Sequence, residues 1–143
     1  HNNVPIIEMD LSQVDGLKGL YYNGRIAIKQ NMPETEKACV LAEELGHHYT
    51  TVGNILDQSS VSNRKQELRA RMWGYDKLIG LTGILKCYKR GCRNMSEMAD
   101  FLEVTEEFLD EALKSYRKKY GESVTIGDYT ICFEPCLAVL KMN

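Results

Sequence analysis

The sequence lacks the long apolar run that a membrane-spanning helix requires. Its uninterrupted apolar stretches, such as residues 38–42, are a few residues long, whereas a span needs about 18 residues. It also lacks a surplus of charge, because 18 Lys and Arg stand against 20 Asp and Glu and the net charge is −2. That balance excludes a polycation that holds nucleic acid by counterion release. We therefore expect a soluble, cytoplasmic globular protein with no membrane partner.

The sequence also lacks the tight C-x2-C knuckle of a zinc ribbon. Its cysteines are spaced as C-x4-C at Cys87 and Cys92 and as C-x3-C at Cys132 and Cys136, and Cys39 stands alone. An odd number of cysteines in a chain of 143 residues argues against a complete disulfide framework. We therefore expect reduced thiols, as is usual in the cytoplasm.

Hydrophobic patterning predicts strands first and helices afterwards. Residues 4–9 form a short apolar run, and residues 17–22 and 25–30 flank Asn23-Gly24, which is the strongest short signal for a β-hairpin. A helix is expected after Pro33, and its apolar face is formed by residues 38, 41, 42, 45 and 49. A polar, irregular stretch at residues 51–63 separates it from a second helix, which is expected from about residue 64 to residue 80.

The remaining residues predict a second unit. Helices are expected at residues 84–90 and 96–102 and from Thr105 onwards, and a terminal β-hairpin is expected within residues 124–142. Gly80 and Gly83 mark a boundary between the two parts. The predicted fold is therefore α+β, with a first domain at residues 1–80 and a helical unit with a terminal hairpin at residues 81–143, packed on the first.

The sequence Glu43-Glu44-Leu45-Gly46-His47 carries the chemistry of the first domain. In the H-E-x-x-H helix of zinc peptidases, two ligands one turn apart share a helix face, and the Glu beside the first ligand is the general base. Here Glu43 replaces the first His, His47 is the second ligand position, and Glu44 stands where the base is required. Taken alone, this pattern is also that of a solvated acidic helix turn.

A third ligand is expected from the following helix, where Glu67 opens the sequence E-x-x-A-x-x-W. Together with the preceding hairpin and the G-H-H turn, this pairing over residues 15–80 resembles the ImmA/IrrE-type metallopeptidases, in particular a phage-encoded branch. The resemblance implies a zincin-like domain in which Glu43, His47 and Glu67 hold one zinc ion and Glu44 activates water. It also implies cleavage of a helix-turn-helix repressor, which relieves repression of a phage or mobile element.

The Glu at position 43 changes the expected electrostatics of the centre. Two carboxylates and one imidazole leave a zinc ion less positive than two imidazoles and one carboxylate, so water at the ion is less acidic. Oxygen-rich ligation also favours Mn or Mg more than a His-rich site does. Three outcomes follow: a slow peptidase, a peptidase with another divalent metal, or a fold that binds without catalysis. His48 is either a supporting or alternative ligand or a half-buried structural residue.

Residues 96–119 resemble a helix-turn-helix. In DNA-binding proteins the start of the second helix enters the major groove, but here it carries Glu106, Glu107, Asp110 and Glu111, which phosphates repel. A structural or protein-docking unit is therefore favoured. DNA binding remains the alternative, because residues 61–93 hold nine Lys and Arg and two acids. The competing function is accordingly a non-catalytic regulator that docks a repressor or DNA.

A final expectation concerns the substrate. Residues 25–30 precede the metal-site helix and alternate between apolar and polar side chains. An open edge at this strand would pair with an extended peptide backbone. The alternative is that the strand is internal and already paired on both sides.

Overall fold

The computed structural model describes residues 3–50 and 60–142. The predicted irregular stretch lies in part outside the described residues, at positions 51–59, and its last residues are helical. The chain divides into two compact units, His1–Leu78 and Ile79–Asn143. The elements in chain order are β1 (Ile6–Met9), β2 (Gly19–Tyr22), β3 (Arg25–Lys29), α1 (Glu34–Thr50), α2 (Ser60–Leu78), α3 (Gly80–Arg90), α4 (Met95–Leu102), α5 (Glu106–Tyr120), β4 (Ser123–Ile126), β5 (Tyr129–Cys132) and β6 (Ala138–Lys141).

This order confirms the predicted α+β class. No helix within residues 3–50 and 60–142 is both long and apolar enough to span a membrane.

The sheet of the first unit has the order β1-β3-β2. The predicted hairpin turn is present, because Asn23 and Gly24 both have positive φ, 52° and 78°, as a two-residue turn between twisted strands requires. β3 pairs with β2 on one side and, in parallel, with β1 on the other. The prediction that residues 25–30 form an open edge is therefore wrong, because parallel pairing with β1 occupies that side.

The core of the first unit lies between this sheet and α1. Ile26 and Ile28 alternate with more exposed residues along β3 and are almost completely buried. They pack with Val4, Met32 and Leu45. This packing fixes one face of α1 against the sheet and leaves the opposite side of the helix for α2.

The first helix of the second unit, α3, begins at Gly80, which has a φ of +64°. Each of the next two helices starts at a side-chain cap: Asn94 accepts a hydrogen bond from the N–H of Glu97, and Thr105 from that of Phe108. The sheet that follows has three strands, β4-β5-β6. The predicted terminal hairpin therefore corresponds to β4 and β5, and a third strand, β6, pairs with β5.

Candidate metal centre

The centre is built where α1 and α2 cross. Both helices carry a small residue one turn before a glycine, Ala42 and Gly46 on α1 and Ala70 and Gly74 on α2. A Cβ at Gly46 would lie 2.1 Å from the carbonyl oxygen of Ala70, and one at Gly74 would lie 3.2 Å from that of Ala42. The two backbones are therefore in direct contact, which only residues without a Cβ permit at this distance.

The crossing brings two of the predicted ligands together. His47 follows Gly46, and Glu67 precedes Ala70 by one turn. His47 Nε2 lies 3.3 Å from Glu67 Oε2, and the side chains are 25% and 45% exposed. Glu67 Oε1 also lies 3.4 Å from Arg71 Nε. An imidazole and a carboxylate from neighbouring helices thus meet at a position that solvent reaches.

Glu44 lies on the side of α1 that faces β2. A Cβ at Gly19 would lie 3.1 Å from Glu44 Oε2, so the absence of a side chain at Gly19 leaves room for this carboxyl group. Burial, and after it the negative charges of Glu43 and Glu67, raises the pKa of Glu44 from 4.5 to about 7. The carboxyl group predicted to be the base is therefore partly desolvated and next to a strand of the sheet.

Glu43 is close enough for its charge to act on Glu44, but it does not complete a three-donor group with His47 and Glu67. Among the side chains that the structure describes, no set of three or more His, Cys, Asp or Glu residues is placed to hold a metal ion. Of the three predicted ligands, the structure thus brings His47 and Glu67 into contact.

The donor chemistry nevertheless fits a divalent cation. The carboxylates of Glu43 and Glu67 are both near enough to raise the pKa of Glu44, and the imidazole of His47 contacts Glu67. A divalent cation would offset their repulsion, and a set of one nitrogen and several oxygen donors suits zinc or manganese.

His48 lies on the side of α1 that faces β2. Its Nδ1 is 3.0 Å from the hydroxyl of Tyr21 on β2, and the two rings meet edge to face. One ring nitrogen is thus already engaged with the sheet. The structural interpretation of His48 is favoured over its use as a ligand.

Sequence reasoning missed the residues that position the centre. Gly19 and the small residues of the crossing carry no chemistry and attract no attention as candidate ligands. A signal was present, because Ala42 and Gly46 share the four-residue spacing of Ala70 and Gly74. Small residues repeated at this spacing on two successive helices indicate a close helix crossing.

A mixed α+β chain in which a histidine on one helix meets a glutamate of the next, beside a half-buried acid, has the residue types of a metallopeptidase site. The sequence profile of the IrrE N-terminal-like domain, Peptidase M78, matches residues 1–114. This match covers well over half of the chain, which therefore belongs to that family, as the resemblance to ImmA/IrrE predicted. No curated protein and no solved structure matches the chain at a significant level.

Proposed function

We propose that this protein is a cytoplasmic, metal-dependent endopeptidase with a zincin-like first domain. The observation that carries the proposal is the contact between His47 of α1 and Glu67 of α2, one helix turn from Glu44. In this proposal Glu43, His47 and Glu67 hold one divalent ion, and a change of side-chain rotamer at Glu43 completes the set. Zinc is the proposed metal, and manganese is the alternative that two carboxylates favour.

Glu44 is the proposed general base. A metal ion at this centre would supply Lewis-acid polarisation of the scissile carbonyl. The chain's own contribution is the Glu44 carboxylate, which takes a proton from the attacking water and passes it to the leaving amide nitrogen. The position of Glu44 against Gly19 supports this role, because it places the carboxylate between the helix crossing and β2.

The substrate is proposed to lie along β2, not β3. β2 is an outer strand of its sheet, and within the described residues it pairs only with β3. A peptide that paired with its other edge would run past Gly19 and therefore past Glu44. Such pairing requires an extended segment, so a folded protein would be cut in a linker and not within a helix.

The proposed substrate is a helix-turn-helix repressor of a phage or mobile element, whose cleavage relieves repression. The support for this assignment is the resemblance of the Glu-Glu-Leu-Gly-His-His motif to the phage-encoded branch of the family. An interdomain linker in such a repressor supplies the extended segment that the β2 edge requires.

A non-catalytic regulator is the second candidate. Two observations favour it: the absence of a three-donor group from the described residues, and the two capped helices α4 and α5, which resemble a helix-turn-helix. The first turn of α5 carries Glu106 and Glu107, so α5 is better suited to docking a protein than DNA.

Glu44→Gln separates the two candidates. We expect the parent protein, purified without added metal, to contain one divalent ion per chain and to cleave a purified helix-turn-helix repressor or a fluorogenic peptide library. Glu44→Gln should lose activity by about 10²–10⁴-fold with unchanged metal content, because the amide cannot accept a proton. Glu34→Gln is the matched control, since Glu34 lies on the same helix with a side chain that is 92% exposed.

Equal activity in Glu44→Gln and the parent would show that Glu44 is not the general base. A parent protein that neither retains metal nor cleaves would favour the regulator. Glu43→His restores the usual ligand pair and should be faster at neutral pH; unchanged or lower activity would contradict the charge argument.

A further inference from the structure

Two cysteines outside the peptidase centre are brought together by the end of α3. Gly91 follows the helix with a φ of +87°, and its N–H bonds to the carbonyl of Tyr88. The N–H of Cys92 bonds to the carbonyl of Cys87 at 3.0 Å. This is the Schellman arrangement, in which the side chains of the two residues joined by the outer bond lie against each other. The C-x4-C spacing therefore produces a pair of facing thiols.

The thiol pair opens into a cavity of about 380 Å³. Met95 and Met98 of α4 line the same cavity, and so do the apolar side chains of Ile84 and Val139. Four sulfur-containing side chains thus border one mainly apolar space within the second unit. Sulfur ligands of this kind, thiolate and thioether, are those that select soft cations such as Cu(I).

The two thiols differ in environment. Cys87 is 1% exposed, whereas Cys92 is partly exposed and its Sγ lies 3.8 Å from the carbonyl oxygen of Glu97. Burial, and after it the proximity of Cys92, raises the pKa of Cys87 to about 12. The buried thiol is therefore a poor nucleophile, so this pair does not have the character of a reactive redox centre.

We propose that Cys87 and Cys92 form a binding site for a soft monovalent cation, Cu(I), with Met98 as an additional thioether donor. Binding forms two copper–sulfur bonds and releases two thiol protons to solvent, with no change in oxidation state. The resulting bis-thiolate carries one negative charge, and the N-terminus of α4, which begins at Met95 just after Cys92, stabilises it.

The number of donors in the pair matches this cation in particular. Two thiolates suffice for Cu(I), so the site needs no set of three or more His, Cys, Asp or Glu donors, and the described residues contain none. A structural zinc site would need four ligands. The site belongs to the second unit and does not depend on the proposed peptidase activity.

The test is a competition for Cu(I) supplied as its bicinchoninate complex to the full, reduced chain without oxygen. We expect the parent protein to remove one Cu(I) per chain, seen as loss of the coloured complex. Cys92→Ala and Cys87→Ala should each compete no better than buffer, and Met98→Leu, which preserves volume, should compete more weakly than the parent. Cys132→Ala and Cys136→Ala are the matched controls and should behave as the parent does.

Circular dichroism establishes that each variant is folded. If Cys87→Ala does not fold, the partly exposed Cys92→Ala decides the question. Undiminished competition by folded Cys92→Ala, or a loss in Cys132→Ala or Cys136→Ala, would overturn the assignment. So would a parent protein that leaves the bicinchoninate complex intact. Unchanged affinity in Met98→Leu would overturn the role of the thioether.

Discussion

Replacing Gly46 with alanine tests whether the contact between the backbones of α1 and α2 holds the first unit together. The added Cβ would lie 2.1 Å from the carbonyl oxygen of Ala70, 2.8 Å from its carbonyl carbon and 3.1 Å from its Cα. All three atoms belong to the backbone, so no side-chain rotation relieves the overlap. The helices must separate by about 1 Å before the closest contact reaches a value that real Cβ atoms show.

The expected loss of stability follows from two opposing effects. Overpacking of this kind typically lowers the free energy of unfolding by about 1–3 kcal/mol. We expect about 3 kcal/mol here, because the obstacle is backbone and cannot move aside. Alanine is better than glycine within a helix by about 1 kcal/mol. The net loss is therefore about 2 kcal/mol, which lowers the unfolding midpoint of a unit of this size by roughly 10 °C.

Trp73 makes the measurement specific. It is the single tryptophan of the chain and lies on α2, so its fluorescence during thermal or urea unfolding reports on the first unit. The control is Leu68→Ala on α2 of the same unit, where the replaced side chain is 55% exposed, and it should leave the midpoint nearly unchanged. A Gly46→Ala midpoint equal to that of the parent would refute the close-crossing argument.

Three further predictions follow from the described contacts. The pKa of Glu44 is raised from 4.5 to about 7, so between these pH values the metal-free folded chain holds a proton that the unfolded chain releases. The free energy of unfolding should therefore fall as pH rises from 4.5 to about 7. Urea titrations of Glu44→Gln should lack that decline. Tyr21→Phe removes the hydroxyl that lies 3.0 Å from His48 and should cost about 1 kcal/mol of unfolding free energy; an unchanged urea midpoint would contradict this. Asn94→Ala removes the cap of α4 and should lower the free energy of unfolding by about 1 kcal/mol. Asn94→Asp keeps an oxygen that accepts the same hydrogen bond, so its thermal midpoint should stay close to that of the parent.

The sequence predicted those elements whose signals are local. Asn23-Gly24 specified a turn with positive φ at both residues, and Thr105 specified a helix start, because neighbouring residues alone determine these features. The neighbours of a strand within its sheet do not follow from such local signals. The alternation at residues 25–29 is the same for an outer and a central strand, so the parallel pairing of β3 with β1, about twenty residues earlier in the chain, was not predictable from it.

In the candidate site, too, the sequence predicted what local spacing determines and not what distant contacts determine. The one-turn spacing of positions 43 and 47, together with Glu67 on the next helix, pointed to residues that lie near one another, and His47 and Glu67 do meet. The side-chain arrangement of Glu43 depends on rotamers and on the angle at which two helices cross. Residue spacing determines neither the rotamers nor the crossing angle. The crossing angle depends on small residues that carry no chemistry of their own.

The crossing of α1 and α2 has a consequence for which side chains position 43 can carry. The crossing is formed by backbone atoms and by Ala42, Gly46, Ala70 and Gly74, and the atom of Glu43 that lies nearest to a Cβ built at Gly74 is its backbone N. In the proposed metal centre, an exchange of His for Glu at position 43 would replace a carboxylate donor with an imidazole and would leave these backbone contacts unchanged. On this proposal the donor at position 43 can change while the contacts of the crossing stay the same, so a single codon would retune metal preference on an unchanged scaffold.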